Sequence, residues 1–218
     1  MFRFASASTQ PWLTRIGKAA LASGALLLAC AGTVQAQRIT FDDVPDGTII
    51  NTHYPGVQFT AVGTGGSANV YARKSVSAAS APNVVSLFAP PSLPFFDRRY
   101  GGIQATFETP QAEVSLDAQP VLPPEYLGTP RALPFLQAFD ANWHFLGVVY
   151  YPIPYGAAGY GSWQTLRIKL PTASIKYVQF ASQYIYGTPP VYGQFDNLTY
   201  TPAVDVTGKV SLQLYGPY

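Results

Sequence analysis

The feature that most constrains the fold is a two-residue alternation of apolar and polar side chains, in short segments separated by proline- and glycine-rich loops. In the segment 164–170, for example, Leu166, Ile168 and Leu170 alternate with polar residues. Successive side chains of a strand point to opposite faces of a sheet, so this pattern buries one face and leaves the other in water. No segment has a helical period long enough to predict a helix. The chain is therefore predicted to be all-β.

The strands are short and follow one another without helical connections, which is typical of two antiparallel sheets packed as a β-sandwich, or jelly roll. A hairpin is predicted at Asp140-Ala141-Asn142, because Asp and Asn tolerate the left-handed backbone that tight turns require. The pattern predicts strands at 38–41, 57–62, 69–72, 84–88, 102–108, 113–119, 133–139, 145–151, 164–170, 176–182, 194–200 and 210–214.

The first 36 residues have the composition of a secretory signal peptide. Arg3, Arg15 and Lys18 form a positive region, residues 19–29 an apolar run, and Val34-Gln35-Ala36 places small residues at −3 and −1. The apolar run is too short to span a hydrocarbon core of ~30 Å, so no transmembrane segment is predicted. We expect residues 1–36 to be removed, residues 37–200 to form the sandwich, and residues 201–218 to form a tail with an extra strand. The chain would then be exported, to the periplasm or beyond the cell.

One alternative destination arises from the leader itself. Leu27-Leu28-Ala29-Cys30 resembles a bacterial lipoprotein box, in which Cys30 would carry a lipid anchor. Cys30 is the only cysteine, so cleavage after Ala36 leaves an exported domain without a disulfide. Such a domain must rely on its own hydrophobic core, which a chain of this length permits.

The charge of the exported part argues against several partners. Three of the 13 basic residues lie in the first 36 positions and all 11 acidic residues lie after them, so the remaining chain has a net charge of −1. Nothing in this balance attracts nucleic acid or an anionic membrane surface. The apolar and aromatic content is also too high for a disordered chain.

The two ends of the predicted domain carry a family resemblance. Ile39-Thr40-Phe41-Asp42-Asp43 lies near the start, Val114-Ser115-Leu116-Asp117-Ala118 in the middle, and Phe195-Asp196-Asn197-Leu198-Thr199-Tyr200 near the end. This order resembles secreted bacterial jelly-roll domains with the galactose-binding-like fold. That group includes many carbohydrate-binding modules and the ectodomains of PEP-CTERM sorting proteins, although residues 201–218 lack the sorting tail. The resemblance spans residues 39–200 and implies a non-catalytic binding domain.

The resemblance also implies a structural Ca²⁺. In that group acidic residues of the first and last strands often hold such an ion, which here implies Asp42, Asp43 and Asp196 as ligands. Calcium takes about six to eight oxygen ligands, and carboxylates from both ends of the domain would tie the sandwich together. Phe41 and Phe195 are expected to pack inward beside them. The alternative is that the three aspartates cap turns through their own backbone.

Aromatic residues in the loops are candidates for sugar platforms, because their flat apolar faces stack on sugar rings while polar neighbours bind hydroxyls. Arg98, next to Arg99, could donate forked hydrogen bonds to such a ligand, or could be a solvated pair that protects a sheet edge. The tyrosines could alternatively cover the sheet edges. The candidate platforms are Trp143, Trp163, Tyr155, Tyr160, Tyr184, Tyr186 and Tyr192.

The sequence gives little evidence for a catalytic site. His53 and His144 are the only histidines, and the chain has no Gly-x-Ser-x-Gly elbow and no cluster with zinc-ligand spacing. A two-carboxylate glycosidase could draw on Glu108, Glu113, Asp117 and Glu125, but their spacing does not place two of them across a cleft. The predicted function is an exported non-catalytic domain that binds carbohydrate or a cell-surface partner. A structural, matrix or adhesion protein without a sugar ligand is the first alternative, and a glycoside hydrolase or other hydrolase is the second.

Overall fold

A computed structural model describes residues 35–63, 69–92, 96–97, 101–121, 132–154, 156–184 and 192–202. For Phe96, Asp97, Ala132, Gln183, Tyr184 and Tyr192 it describes the backbone alone. This part of the chain contains no helix, and so none that could cross a membrane. Its strands are β1 (Gln37–Ile39), β2 (Thr48–Ile49), β3 (Val57–Val62), β4 (Tyr71–Lys74), β5 (Asn83–Ser86), β6 (Phe96–Asp97), β7 (Gly102–Val121), β8 (Ala132–Phe139), β9 (Phe145–Tyr150), β10 (Gln164–Lys169), β11 (Ile175–Tyr184) and β12 (Tyr192–Pro202).

The strands form two antiparallel layers that share one long strand, β7. The first half of β7 pairs with β3 and β11, and its second half pairs with β10 and β12. The first layer therefore has the order β3–β7–β11–β8–β9, and the second has β10–β7–β12–β5–β4–β2, with β1 and β6 also paired to β12. The predicted two-sheet sandwich is confirmed.

The core lies between the layers and includes the predicted inward residues Leu166 and Ile168. Phe107 of the first layer packs on Tyr200 of the second at 5.0 Å between ring centroids, and Phe180 packs on Phe195 at 5.2 Å. Contacts of this kind add about 0.5–1.5 kcal/mol each beyond the area that they bury. Other fully buried core residues are Phe41, Ile50, Phe59, Leu87, Ile103, Leu116 and Leu136.

The two ends of the domain meet, as the resemblance implied. β1 pairs with β12 through Gln37 opposite Tyr200 and Ile39 opposite Leu198. Phe41 and Phe195 are both fully buried, which confirms that they pack inward. Phe41 has a φ of 63°, a left-handed backbone that a bulky residue rarely adopts.

Three details of the predicted strands were wrong. Residues 102–108 and 113–119 belong to one strand, because Pro110 falls where β7 changes its neighbours and its missing N–H is not needed. In the β8–β9 hairpin, which forms as predicted, the left-handed residue is Trp143 (φ 65°) and neither Asp140 nor Asn142. The two-residue strands β2 and β6 were not predicted. The predicted strand 210–214 lies outside the described residues.

Candidate functional site

The outer face of the first layer presents three rows of side chains, fixed by the register of its five strands. We call this surface the glutamine face, after the three glutamines in its central row. The trough row consists of Val62, Gly102, Ala181, Phe135 and Tyr150. The central row consists of Thr60, Gln104, Gln179, Gln137 and Val148. The aromatic row consists of Gln58, Thr106, Tyr177, Phe139 and Phe145.

Hydrogen bonds connect the polar side chains of the central row from strand to strand. Gln137 Nε2 donates to Gln179 Oε1 at 2.8 Å, and Gln179 Nε2 donates to Gln104 Oε1 at 3.1 Å. Gln104 Nε2 then donates to Thr106 Oγ1 at 3.1 Å. A primary amide has two N–H donors and two acceptor positions, so each glutamine retains hydrogen-bonding capacity for a ligand. This series of hydrogen bonds fixes the orientation of the amides.

An indole covers part of the aromatic row. The Trp143 ring lies parallel to the Tyr177 ring, with 4.1 Å between centroids and 6° between planes. Phe139 contacts Trp143 at 5.6 Å and Phe145 at 5.9 Å. Trp143 is 48% exposed even though one of its faces rests on Tyr177. The result is a rigid aromatic platform beside the glutamines.

Asp140 holds the hairpin turn that presents Trp143. Its Oδ1 accepts the backbone N–H groups of Asn142 and His144, both at 2.8 Å, and its Oδ2 lies 2.9 Å from His144 Nδ1. The Trp143 N–H donates to the Asp140 carbonyl at 3.1 Å. The bond from the His144 backbone is the main reason why the pKa of Asp140 is lowered. The same carboxylate therefore fixes the turn whose strained residue is Trp143.

A trough of about 440 Å³ lies at the other side of the central row, within the range of small-molecule sites. Gln137, Gln179 and Phe135 line it, and Gly102 and Ala181 lie between them. A Cβ added to Gly102 would lie 2.8 Å from the Phe180 carbonyl oxygen, so the floor of the trough must be free of side chains there. Polar amides, an aromatic ring and a flat floor thus meet in one place.

The predicted metal ligands do not all come together. Asp196 is fully buried and accepts hydrogen bonds from the Ser80 N–H at 2.8 Å and the Asn197 N–H at 2.7 Å. Burial raises the pKa of Asp196 to about 7, with a further contribution from the nearby charge of Asp42. Asp43 is 59% exposed and instead accepts the Tyr54 hydroxyl at 2.7 Å, with His53 Nε2 at 4.0 Å. The charge of Asp42 therefore acts on Asp196, whereas Asp43 is engaged with Tyr54.

The surroundings of Asp42 and Asp196 fit a cation. Asp42 Oδ1 accepts the Asn83 N–H at 2.7 Å. Asn83 Nδ2 donates to the carbonyls of Phe41 and Val44, both at 2.8 Å, whereas Asn83 Oδ1 is buried and has no hydrogen-bond partner. A carboxylate pair with an unsatisfied amide oxygen is the kind of donor set that Ca²⁺ uses. In the described ranges no three His, Cys, Asp or Glu side chains group as metal ligands, so neutral oxygens would have to complete the shell.

Trp163, predicted as a platform, is on the other side of the molecule. It precedes β10 in the second layer, is half-buried, and donates from Nε1 to the Ser77 carbonyl at 2.6 Å. Tyr184 ends β11 and Tyr192 begins β12, with the backbone alone described. Tyr160 packs against Tyr151 at 5.9 Å. Arg98, Arg99, Glu125, Tyr155 and Tyr186 lie outside the residues that the structure describes.

Two of the candidate catalytic carboxylates, Glu113 and Asp117, are engaged in structural contacts. Glu113 forms ion pairs with Arg167 and, at 3.3 Å, with Lys169. Asp117 accepts the Thr165 hydroxyl at 2.6 Å and Asn197 Nδ2 at 2.8 Å.

Gln104, Gln137 and Gln179 are the residues that sequence reasoning missed. The alternation placed each of them on the face opposite to core residues, in three separate predicted strands. Sequence alone does not say which strands are neighbours, so it could not show that the three amides form one row.

Three solved structures illustrate what the fold is similar to. The K2 cleaved adhesin domain of Lys-gingipain is 18% identical, with 77% of this chain and 99% of that chain covered and a TM-score of 0.46. The K1 cleaved adhesin domain from Porphyromonas gingivalis W83 is 14% identical over 77% and 98%, with a TM-score of 0.45. The C-terminal family 22 carbohydrate-binding module of Clostridium thermocellum Xyn10B is 13% identical over 77% and 92%, with a TM-score of 0.41.

No protein-family model and no curated protein matches the chain. At these identities and TM-scores the structural likeness assigns no function, so function has to be argued from the glutamine face itself.

Proposed function

We propose that this chain is a non-catalytic domain that binds carbohydrate on its glutamine face. The observation that carries the proposal is the hydrogen-bonded row Gln137–Gln179–Gln104 beside the stacked rings of Trp143 and Tyr177. Sugar hydroxyls both donate and accept hydrogen bonds, as amides do, and the C–H faces of sugar rings pack on aromatic rings. A preformed row of amides also loses little side-chain entropy on binding.

The charge of the face favours a neutral glycan. None of the residues in its three rows is Asp, Glu, Lys, Arg or His. A polyuronate or sulfated glycan would give up the hydration of its charges here without gaining an ionic partner. The proposed ligand is therefore an uncharged sugar chain on a cell surface or matrix, met after export to the periplasm or beyond the cell.

A protein partner on a cell surface is the second candidate function. It is favoured by the large apolar side chains along β9, where Phe145 is 58% and Tyr150 is 46% exposed. Exposed apolar patches on a sheet often mark protein contacts. An adhesive or matrix role without a sugar ligand would use the β9 edge and would not involve the three glutamines.

A glycan array probed with the purified protein tests the main proposal. We expect binding to neutral glycans, lost in Gln179→Ala because the middle of the amide row is removed. Arg167→Ala, an exposed change on β10 of the opposite layer, is the matched control and should bind as the wild type does. Absence of binding to any glycan, together with co-purification of a protein through the β9 edge, would replace the carbohydrate proposal with the adhesive one.

We also propose a structural calcium ion between the two ends of the domain. Asp42, Asp196 and the unsatisfied Asn83 Oδ1 are the residues that would hold it. The ion would supply positive charge to offset Asp196, which is fully buried, and Asp42, whose charge raises the pKa of Asp196. It would also tie the segment after β1 to β12, which stabilises the sandwich and takes no part in sugar binding.

A further inference from the structure

A second pocket opens at the opposite corner of the first layer. It has a volume of about 530 Å³ and lies where the turn before β3 meets β7 and the start of β11. Gln58 and Thr106 of the aromatic row line it, together with Thr52, Glu108 and Lys176. The trough already described lies across the central row from it.

The amide row connects the two pockets. Gln137 and Gln179 line the trough, and Thr106 lines the second pocket. Gln104 lies between them and hydrogen-bonds to both Gln179 and Thr106. A ligand bound in the trough therefore has a continuous path of hydrogen-bonding groups toward the second pocket.

The distance between the pockets sets the size of a ligand that would use both. Gly102 of the trough and Thr106 of the second pocket are four residues apart on β7, which corresponds to about 13 Å along a strand. One sugar ring is about as wide as an aromatic side chain and cannot reach from one to the other. A chain of several rings can.

The chemistry of the second pocket also suits an uncharged sugar. Lys176 Nζ donates to the backbone carbonyl of Glu108 at 3.0 Å and has two further N–H groups available for acceptors. Glu108 lines the same pocket, so the one basic and the one acidic residue of its lining balance in formal charge. Gln58 and Thr106 add neutral donors and acceptors.

We infer that this pocket is a second subsite of the glycan site, and that the ligand is a neutral oligosaccharide long enough to run from the trough over Gln104 into it. The inference rests on the proposed function, because it extends the same face. Short sugars would bind on the trough and the amide row beside the Trp143–Tyr177 platform, and longer ones would gain the contacts of Gln58 and Lys176.

Calorimetric titration with cello- and xylo-oligosaccharides from di- to hexasaccharide tests this. The wild type should bind the longest members of the series that it recognises at least about tenfold more tightly than the disaccharide, since about 1.4 kcal/mol of added contact gives that factor. Lys176→Ala should lose this gain while binding the disaccharide as the wild type does, because Lys176 lines the second pocket and lies outside the three rows of the glutamine face. Lys74→Ala, an exposed lysine on β4 of the second layer, is the matched control and should keep the gain.

The outcomes separate the two proposals. Equal affinity for short and long sugars, or equal weakening of short and long sugars by Lys176→Ala, would overturn the second subsite and leave glycan binding in place. No binding to either series, together with no binding on the glycan array, would overturn the glycan proposal itself. A melting curve of Lys176→Ala close to that of the wild type would show that lost affinity comes from lost contacts.

Discussion

The outer faces of the two layers carry similar polar side chains, but these side chains differ in burial. On the first layer, Gln104, Gln137 and Gln179 remain half-buried and accessible. On the second layer, Gln194 and Asp196 point outward from β12 yet are fully buried.

The loop between β4 and β5 causes this difference. Ser77 donates to Gln194 at 2.8 Å, Ser80 donates to Asp196, and Trp163 binds the Ser77 carbonyl from the opposite side. The polar groups of the second layer thus use their hydrogen-bonding capacity inside the protein, whereas those of the first layer remain accessible at the surface. This difference is what the proposed ligand would use.

The largest expected effect is on the covered face. Asp196→Ala removes the acceptor of the Ser80 and Asn197 N–H groups and should lower the free energy of unfolding by about 3 kcal/mol, the scale of a buried polar network that loses one member. Gln104→Ala on the open face should cost less than about 1 kcal/mol. Urea denaturation of both variants measures this. A cost for Gln104→Ala as large as that for Asp196→Ala would mean that the open face is structural too.

Calcium removal should also act on stability and not on binding. With calcium at about 100 times its dissociation constant, EDTA should remove about 2.7 kcal/mol of stabilisation and lower the melting temperature by several degrees. Asp196→Ala should abolish the sensitivity, because it removes a proposed ligand, and Asp43→Ala should retain it. A melting curve of the wild type that EDTA does not change would refute the metal.

Substitutions of the two tryptophans should have smaller effects that also distinguish the two layers. Trp143→Ala should weaken glycan binding about tenfold through the lost stacking surface, with little effect on the melting temperature. Trp163→Ala should do the reverse, lowering the free energy of unfolding by about 1–2 kcal/mol with unchanged affinity, because its N–H holds the covering loop. Parallel titrations and melts of the two variants provide the measurement. If only Trp163→Ala weakened sugar binding, the sugar site would lie on the second layer and not on the glutamine face.

The smallest expected effect is the pH dependence that Asp46 gives to the second layer. Asp46 Oδ1 accepts the Lys74 N–H at 2.8 Å and Arg73 Nε at 3.0 Å, and mainly the Lys74 bond lowers the pKa of Asp46 below its ordinary value of 3.8. A lowered folded-state pKa means that the stabilisation is present above pH 3.8 and is lost as the pH falls below that value. Melting temperatures of the wild type and Asp46→Asn should converge in that acidic range. A gap that persists there would show that the contribution of Asp46 does not depend on its charge.

Much of the fold could be predicted from sequence, and little of the site. The inward residues Leu166 and Ile168 were identified because alternation is a local property that reports directly on burial. The meeting of Phe41 with the last strand came from the resemblance. The amide row did not follow from either, since Gln104, Gln137 and Gln179 become neighbours only through non-local strand pairing.

The position of Trp143 was also beyond the reach of the sequence pattern. Its left-handed backbone depends on the bonds that Asp140 forms with the turn, and a propensity for Asp and Asn pointed to the wrong residue in that turn. Trp163 was chosen for its residue type, but its N–H is already used within the protein.

Strand β7 runs through both layers without a break, with Gln104 near one end and Asp117 near the other. A pull on a bound polymer would be passed along a single ribbon of backbone into both sheets at once. Sliding one sheet over the other would require β7 to break its hydrogen bonds with its four neighbouring strands. The domain should therefore resist tension as one unit and unfold in a single step.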